Sequence, residues 1–222
     1  MTRFWDVLMQ KGAYFLGTLL GGLGTTVTVA LGALIFALVF GLIVALARVS
    51  RWRVLRGLAI AYIEFIRGTP ALVQLFVIYF GLPDTGITPT PLQAAIIGLG
   101  INGAAYLAEI YRAGIEAIHK GQMEAALTLG MTPARAMQYI ILPQAVRTML
   151  PPITSFAIVM LKDTAVISVI AAPEIMFYAR NLVTETLQSA VVYSMAGVIY
   201  LCMTIPMARL VARLERSRRA WQ

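Results

Sequence analysis

Lys162-Asp163-Thr164 interrupts an apolar run near its middle and brings a cation, an anion and a hydroxyl together. No nucleophile stands beside a base and no His/Asp cluster has metal-ligand spacing, so these residues are suited to binding rather than bond-making. A lysine can hold a carboxylate and an aspartate an ammonium group, which together suit a zwitterion. A second set, Asn102, Tyr106, Glu109 and Arg112, recurs at helical spacing, with Glu116 one turn further on, so all five share one stripe of an otherwise apolar helix. That stripe must face protein or water rather than lipid. Arg112 and Glu116 are expected to neutralise each other. Asn102, Tyr106 and Glu109 are left as ligand candidates beside Lys162, Asp163 and Thr164. Glu64 and Arg67, three residues apart, are expected to form a structural ion pair just before Gly68-Thr69-Pro70, where the proline favours a kink. His119 has no second His or Cys nearby, so no metal site is expected.

The elements that position these residues are membrane spans. Of the 222 residues 59% are hydrophobic and 13% charged, and the mean hydropathy is +0.80, a mix that excludes an ordinary soluble domain. Apolar segments at 25–47, 59–82, 92–118, 153–172 and 191–212 each approach or exceed the roughly 20 residues of a crossing. The expected fold class is therefore an all-α membrane protein with five transmembrane helices. Ahead of the first span, 13–23 ends in Gly21-Gly22-Leu23-Gly24 and is expected to form a short interfacial helix bent at the glycines. Arg3 and Lys11 precede an apolar run as in a signal peptide, but that run continues too far, so an anchor is expected. Gly32 and Gly41 offer notches for close helix contact. The lone Cys202 supports no disulfide framework. Pro151-Pro152 is expected to start the fourth span and Pro206 to kink the fifth; 83–91 reads as a turn, and 173–190 has room for a short surface helix.

The +8 net charge is explained by loops rather than by nucleic acid, which is not an expected partner. Arg48, Arg51, Arg53 and Arg56 lie in the first connection, Lys120, Arg135 and Arg147 in the third, and Arg209, Arg213, Arg216, Arg218 and Arg219 in the tail; the opposite side holds only Arg3, Lys11 and Arg180. The positive-inside rule then places the N-terminus outside and the C-terminus in the cytoplasm. The chain divides into an N-terminal segment (1–24), a five-helix domain (25–212) and a basic cytoplasmic tail (213–222). It shows no internal repeat, and an odd number of spans argues against inverted halves, so a complete pathway needs a second chain.

Between the third and fourth spans, GQMEAALTLGMTPARAMQYIILPQA (121–145) reads as two short helices with a hinge. Residues 122–129 are helix formers, Gly130 can take a left-handed cap, Thr132 supplies a capping hydroxyl, Pro133 suits a first helical position, and Leu142-Pro143 ends the second helix. Neither piece can cross a bilayer. Glu124-Ala125-Ala126, Gly130 and Ile141-Leu142-Pro143 resemble the EAA loop of permease subunits in bacterial ABC importers. FIRGTPALVQLF and LKDTAVIS resemble the polar amino acid branch of that family, although Ala165 stands where many members have a small hydroxyl residue.

The resemblance runs from GTTVTV to the Arg-rich tail and implies a type I ABC importer permease (MetI-like) fold in the bacterial cytoplasmic (inner) membrane. It implies an amino acid substrate, a second permease chain, identical or different, two ABC ATPase subunits and an extracytoplasmic substrate-binding protein. Glu124, Ala125, Ala126, Gly130 and Arg135 would couple to the ATPase. No G-x-x-x-x-G-K-[ST] loop occurs, so ATP and Mg belong to the partner; the chain is not expected to be an enzyme or to hold a cofactor. A stand-alone channel or ion-coupled carrier accounts equally well for the buried charge, but gives the helix–glycine–helix loop no purpose.

Overall fold

The computed structural model describes residues 2–219, with side chains from 4 to 213. All of its regular elements are helical: α1 (Thr2–Leu20), α2 (Leu23–Arg48), α3 (Arg53–Gly68), α4 (Ala71–Phe76), α5 (Pro91–Glu116), α6 (Lys120–Thr128), α7 (Pro133–Ala136), α8 (Leu142–Asp163), α9 (Ile175–Thr186) and α10 (Ser189–Arg219). The described residues hold four helices long and apolar enough to cross a membrane, and a fifth span if α3 and the segment Ala71–Thr85 are counted as one bent pair. α10 runs through Pro206. Beyond its helical backbone to Arg219, the basic tail expected at 213–222 lies outside the described residues.

α2 and α5 lie against each other along most of their length. Small residues make this possible: a Cβ on Gly41 would stand 2.9 Å from the Ala104 carbonyl oxygen, and one on Gly103 would stand 3.0 Å from Ala37 Cβ. Without a hydrophobic drive between helices in lipid, such close approach is what holds them. Val29, Ala33 and Ala37 of α2, Leu75 of α4, Ala94, Leu99 and Leu107 of α5 and Met160 of α8 form the main core.

The second expected span, 59–82, is not one helix. α3 and Ala71–Thr85 meet at 104°. Pro70 has no N–H to continue the ladder, and its ring drives Thr69 to extended backbone (φ −118°, ψ 143°). In a bilayer the carbonyls so released need other donors. The Thr69 hydroxyl donates to Phe65 O at 2.9 Å, and Gln74 Nε2 donates to Ile66 O at 2.8 Å and Thr69 O at 3.1 Å. What was expected to be a kink is thus a corner, stabilised by an amide four residues beyond the proline.

The fourth span also starts elsewhere. Leu142-Pro143 does not end a helix: α7 continues through a π turn (Met137–Ile141) into α8, with Pro143 in its first turn, and Pro133–Ile170 forms one helical run of 38 residues. Proline is accommodated there because the adjacent π turn already interrupts the regular i→i−4 ladder. Pro151 and Pro152, expected at a helix start, lie inside α8, where the Thr154 hydroxyl donates to Leu150 O and Pro151 O, each at 2.9 Å.

A second core joins α1, α9 and α10 through Phe15, Leu19, Ile175, Ala179, Leu182, Val192 and Ala196. α1 is longer than the expected helix at 13–23, and only the Gly21-Gly22 turn separates it from α2. Gly22 keeps near-helical angles (φ −83°, ψ −11°), so its backbone freedom is not what the site needs. A Cβ there would stand 2.4 Å from Glu174 C and Ile175 N. Gly22→Ala must push α9 away, and the expected cost of about 1–3 kcal/mol appears as a lower melting temperature of the purified subunit; an unchanged melting temperature would mean that α9 does not sit on this turn. α9 is the short surface helix for which 173–190 has room: Arg180, Asn181, Thr184 and Glu185 are exposed, and Ile175, Ala179 and Leu182 form its buried face. Glu174 is fully buried at its N-cap. Burial pushes the Glu174 carboxyl up, against the pull of the Met176 N–H, the Tyr200 hydroxyl and the Phe177 N–H.

Candidate functional site

The corner between α3 and α4 opens onto a cleft of about 610 Å³ whose far walls are α5 and α8. Arg67 and Thr69 enter from the corner, Asn102 and Tyr106 from α5, and Phe156 and Asp163 from α8. Arg67, Thr69, Asn102 and Tyr106 are each held by a neighbour. Arg67 Cζ lies 5.4 Å from the centroid of the Tyr106 ring, which stacks on Phe156 at 5.9 Å and 24°. A guanidinium over an aromatic face is held by the ring quadrupole while its donors stay available. Asn102 Nδ2 donates to Gln74 Oε1 at 3.0 Å, tying α5 to the amide that stabilises the corner. Asp163 is the last residue of α8, where the α-helix tightens into the 3-10 turn Thr164–Ile170, and its exposed carboxylate faces the cleft. One space therefore presents a cation and an anion, with an aromatic wall between polar edges.

This arrangement redistributes the expected site. Asn102, Tyr106 and Asp163 come together. Lys162 does not join them: successive helical residues are about 100° apart, and Lys162 lines a separate recess of about 350 Å³ with Ala165, Met176, Tyr193, Gly197 and Tyr200. Thr164 is fully buried, its hydroxyl donating to Leu161 O at 2.7 Å. Glu109 is engaged elsewhere. One carboxylate oxygen accepts from Arg112 Nη2 at 2.9 Å and the other pairs with Arg48 at the end of α2, while Arg112 also pairs with Glu116. Two cations and two carboxylates thus neutralise one another and fasten α5 to α2, which removes Glu109 as an unengaged ligand. The expected Glu64–Arg67 ion pair does not form; Arg67 turns to Tyr106 instead. Lys162→Gln is accordingly expected to raise the KM of transport at least tenfold less than Asp163→Asn does, measured in uptake assays on the two variants; equal effects would return Lys162 to the site.

Sequence reasoning missed Gln74, Arg48 and the placement of Arg67. An amide in an apolar run four residues after a helix-breaking proline was a legible signal for Gln74. Tyr62, whose hydroxyl donates to Ile101 O at 2.6 Å, and Tyr111, which donates to Leu38 O at 3.1 Å, strap α3 and α2 to α5.

The loop between α5 and α8 follows its expected local rules. His119 Nδ1 accepts from Gly121 N at 3.1 Å to cap α6. Gly130 takes φ +80°, the left-handed conformation that ends the helix, and Met131 N donates back to Ala126 O at 3.1 Å. Thr132 caps α7, with Pro133 at its start. Glu124, Ala125, Gly130 and Arg135 are exposed, and Leu129 is 83% exposed. Ala126 differs: at 4% exposure it packs inward and cannot lie on an outer docking face.

Helices broken within the bilayer, with charged side chains converging on the break, are how solute transporters build a pathway, and this bundle is the membrane subunit of one. The chain belongs to the family of binding-protein-dependent transport system inner membrane components, whose model matches residues 37–220. It is 38% identical over 217 residues to the L-cystine transport system permease protein TcyB of Bacillus subtilis (strain 168), covering 96% of this chain and 92% of that one. It is 36% identical over 200 residues to the glutamine transport system permease protein GlnP of Escherichia coli (strain K12), covering 89% and 91%. A solved structure described as an amino acid ABC transporter with histidines superposes with a TM-score of 0.90 at 38% identity, over 93% of this chain and 97% of that one. The MetNI methionine ABC transporter in an inward-facing form shares the fold, with a TM-score of 0.69 at 20% identity and coverage of 89% and 96%.

Proposed function

We propose that this chain is the permease subunit of an ATP-driven importer of polar amino acids in the bacterial inner membrane, with its N-terminus outside and its C-terminus in the cytoplasm. The observation that carries the reading is the meeting of Arg67 and Asp163 in one cleft. The guanidinium is placed to hold an α-carboxylate and the carboxylate an α-ammonium group, with the Asn102 amide and the Tyr106 edge beside them. Relatives named for glutamine and cystine transport support an amino acid as the solute. The loop at 121–145 is the contact for an ATPase subunit, through Glu124, Ala125, Gly130, Arg135 and the exposed Leu129. Two such ATPases, carrying ATP and Mg, a second permease chain and an extracytoplasmic binding protein complete the assembly.

Coupling follows from continuity. The helical run that begins at Pro133 in the loop reaches Asp163 in the cleft, about 45 Å away at 1.5 Å per residue. ATP-driven closure of the partner moves α6 and α7 as a body, and α8 carries that motion to Asp163. Arg67 belongs to α3, which is tied to α5 by Tyr62 and so does not follow α8 rigidly. The distance between the two charges changes, and with it the affinity for a zwitterion. ATP and solute are linked because each favours one of the two states. The test is to purify the tagged chain from native membranes, identify the co-purifying chains and assay uptake in proteoliposomes. A stoichiometric ATPase and uptake that requires ATP are expected. A chain that comes alone and transports without ATP would put a channel or carrier in its place.

A further inference from the structure

Glu64 and Lys162 are exposed charges of opposite sign, and neither makes an ion pair with a described residue. Both stand near the middle of the membrane. On α3 the Tyr62 hydroxyl donates to Ile101 O at 2.6 Å and Arg67 Cζ lies 5.4 Å from the Tyr106 ring, so Glu64, between them, is level with 101–106, the middle of α5. Lys162 is near the same height, because Met160 reaches Gly103: a Cβ on that glycine would stand 2.4 Å from Met160 Cε. The headgroups are about 15 Å from the middle of the hydrocarbon core, beyond the four-carbon stem of a lysine and further beyond a glutamate. Charges left facing lipid at this depth are strongly unfavourable. Neighbouring charges are occupied: Arg67 lies on Tyr106, Asp163 faces the solute cleft, and Glu109 is shared by Arg48 and Arg112.

We propose that a second copy of this chain covers both charges, Glu64 pairing with Lys162 of the partner subunit and Lys162 with the partner subunit's Glu64. The proposal rests on the reading of the chain as one of two permeases in an importer, and makes the second permease a copy of the first. A two-fold axis along the membrane normal keeps every residue at its depth and brings residue i to j and j to i at once, so one chain that carries both signs at one height satisfies both. The two charges also flank the solute cleft: Glu64 is one helical turn before Arg67 on α3, and Lys162 immediately precedes Asp163 on α8. Both surfaces are open to a neighbouring helix. Ala59, Ile63 and Ile66 form the buried face of α3, whereas Gly57, Ala61, Glu64 and Gly68 are exposed, and a Cβ on Gly57 or Gly68 would meet no heavy atom within 4 Å. The same holds for Gly197, beside Lys162 in its recess. Small residues let backbones approach closely enough for a short carboxylate to reach its cation. The pair would tie the α3 corner of each cleft to the end of α8 in the other subunit.

The test uses two differently tagged copies co-expressed with the rest of the transporter, on a Cys202→Ala background so that no other thiol remains in this chain. One copy carries Glu64→Cys and the other Lys162→Cys. A short bis-maleimide is used, because the two side chains replaced span more than a disulfide can bridge. The mixed pair is expected to cross-link at least about tenfold better than two Glu64→Cys copies or two Lys162→Cys copies, because the contact joins unlike positions. A second readout is charge reversal. Glu64→Lys in both copies sets cation against cation and is expected to cut recovery of the second tag with the first about fivefold or more, at equal amounts of each chain in the membrane; adding Lys162→Glu reverses both signs and restores most of it. A mixed pair that links no better than the matched ones, recovery indifferent to the sign at 64, or a different permease in place of the second tag would each overturn the proposal. A stoichiometric ATPase with ATP-dependent uptake would leave the importer reading standing even then.

Discussion

Asp163→Asn raises the KM for amino acid uptake about thirty- to hundredfold, with the assembled transporter recovered in normal amount. The side chain keeps its shape and loses its charge. An ammonium group facing the neutral amide forfeits a charge-assisted contact worth about 2–3 kcal/mol, at the lower end for paired charges because the Asp163 side chain is exposed to the cleft. Each 1.4 kcal/mol is a factor of ten. Assembly is unaffected, since Asp163 makes no ion pair with any described residue. Arg67→Gln acts on the other end of the solute and is expected to lose a similar amount. Uptake kinetics on both variants decide the matter: wild-type KM in either would remove that residue from the solute site.

Gly130→Val abolishes uptake while ATP hydrolysis continues. A Cβ on Gly130 would have no heavy atom within 4 Å, so the substitution is opposed by backbone conformation and not by space. At φ +80° a side chain costs roughly 1–2 kcal/mol, and a β-branched one more. The turn opens, α6 and α7 lose their fixed angle, and motion received by α6 no longer reaches α8. Gly130→Asn is the control, because asparagine tolerates the left-handed region, and it should retain most of the transport. The measurement is the number of solute molecules imported per ATP hydrolysed. A normal ratio in the valine variant would mean that the loop does not carry the motion.

Much of this fold was legible where one element decides its own structure. The third span, the left-handed cap at Gly130, the Thr132 and Pro133 helix start and the Arg112–Glu116 pair each follow from spacing within a single helix or turn. The reading failed where a second element competes for a side chain. Glu64 and Arg67 have the spacing of a pair, but the Tyr106 ring on α5 draws the guanidinium away. Glu109 lay on the expected stripe, yet Arg48, which appeared only as a loop charge, reaches it from the end of α2. Lys162 and Asp163 were grouped because they are adjacent, and adjacency on a helix is a reason to separate them. The corner at Pro70 needed Gln74 to satisfy the released carbonyls, and Glu174 was hidden because a carboxylate in a connection reads as solvated.

A structure of the assembled transporter with its amino acid bound decides whether Arg67 and Asp163 hold the solute. The solute is expected in the cleft at the α3–α4 corner, its carboxylate within hydrogen-bonding distance of Arg67 and its ammonium group beside Asp163. An amino acid seated instead in the recess lined by Lys162, Tyr193 and Tyr200, with the corner cleft closed, would contradict it.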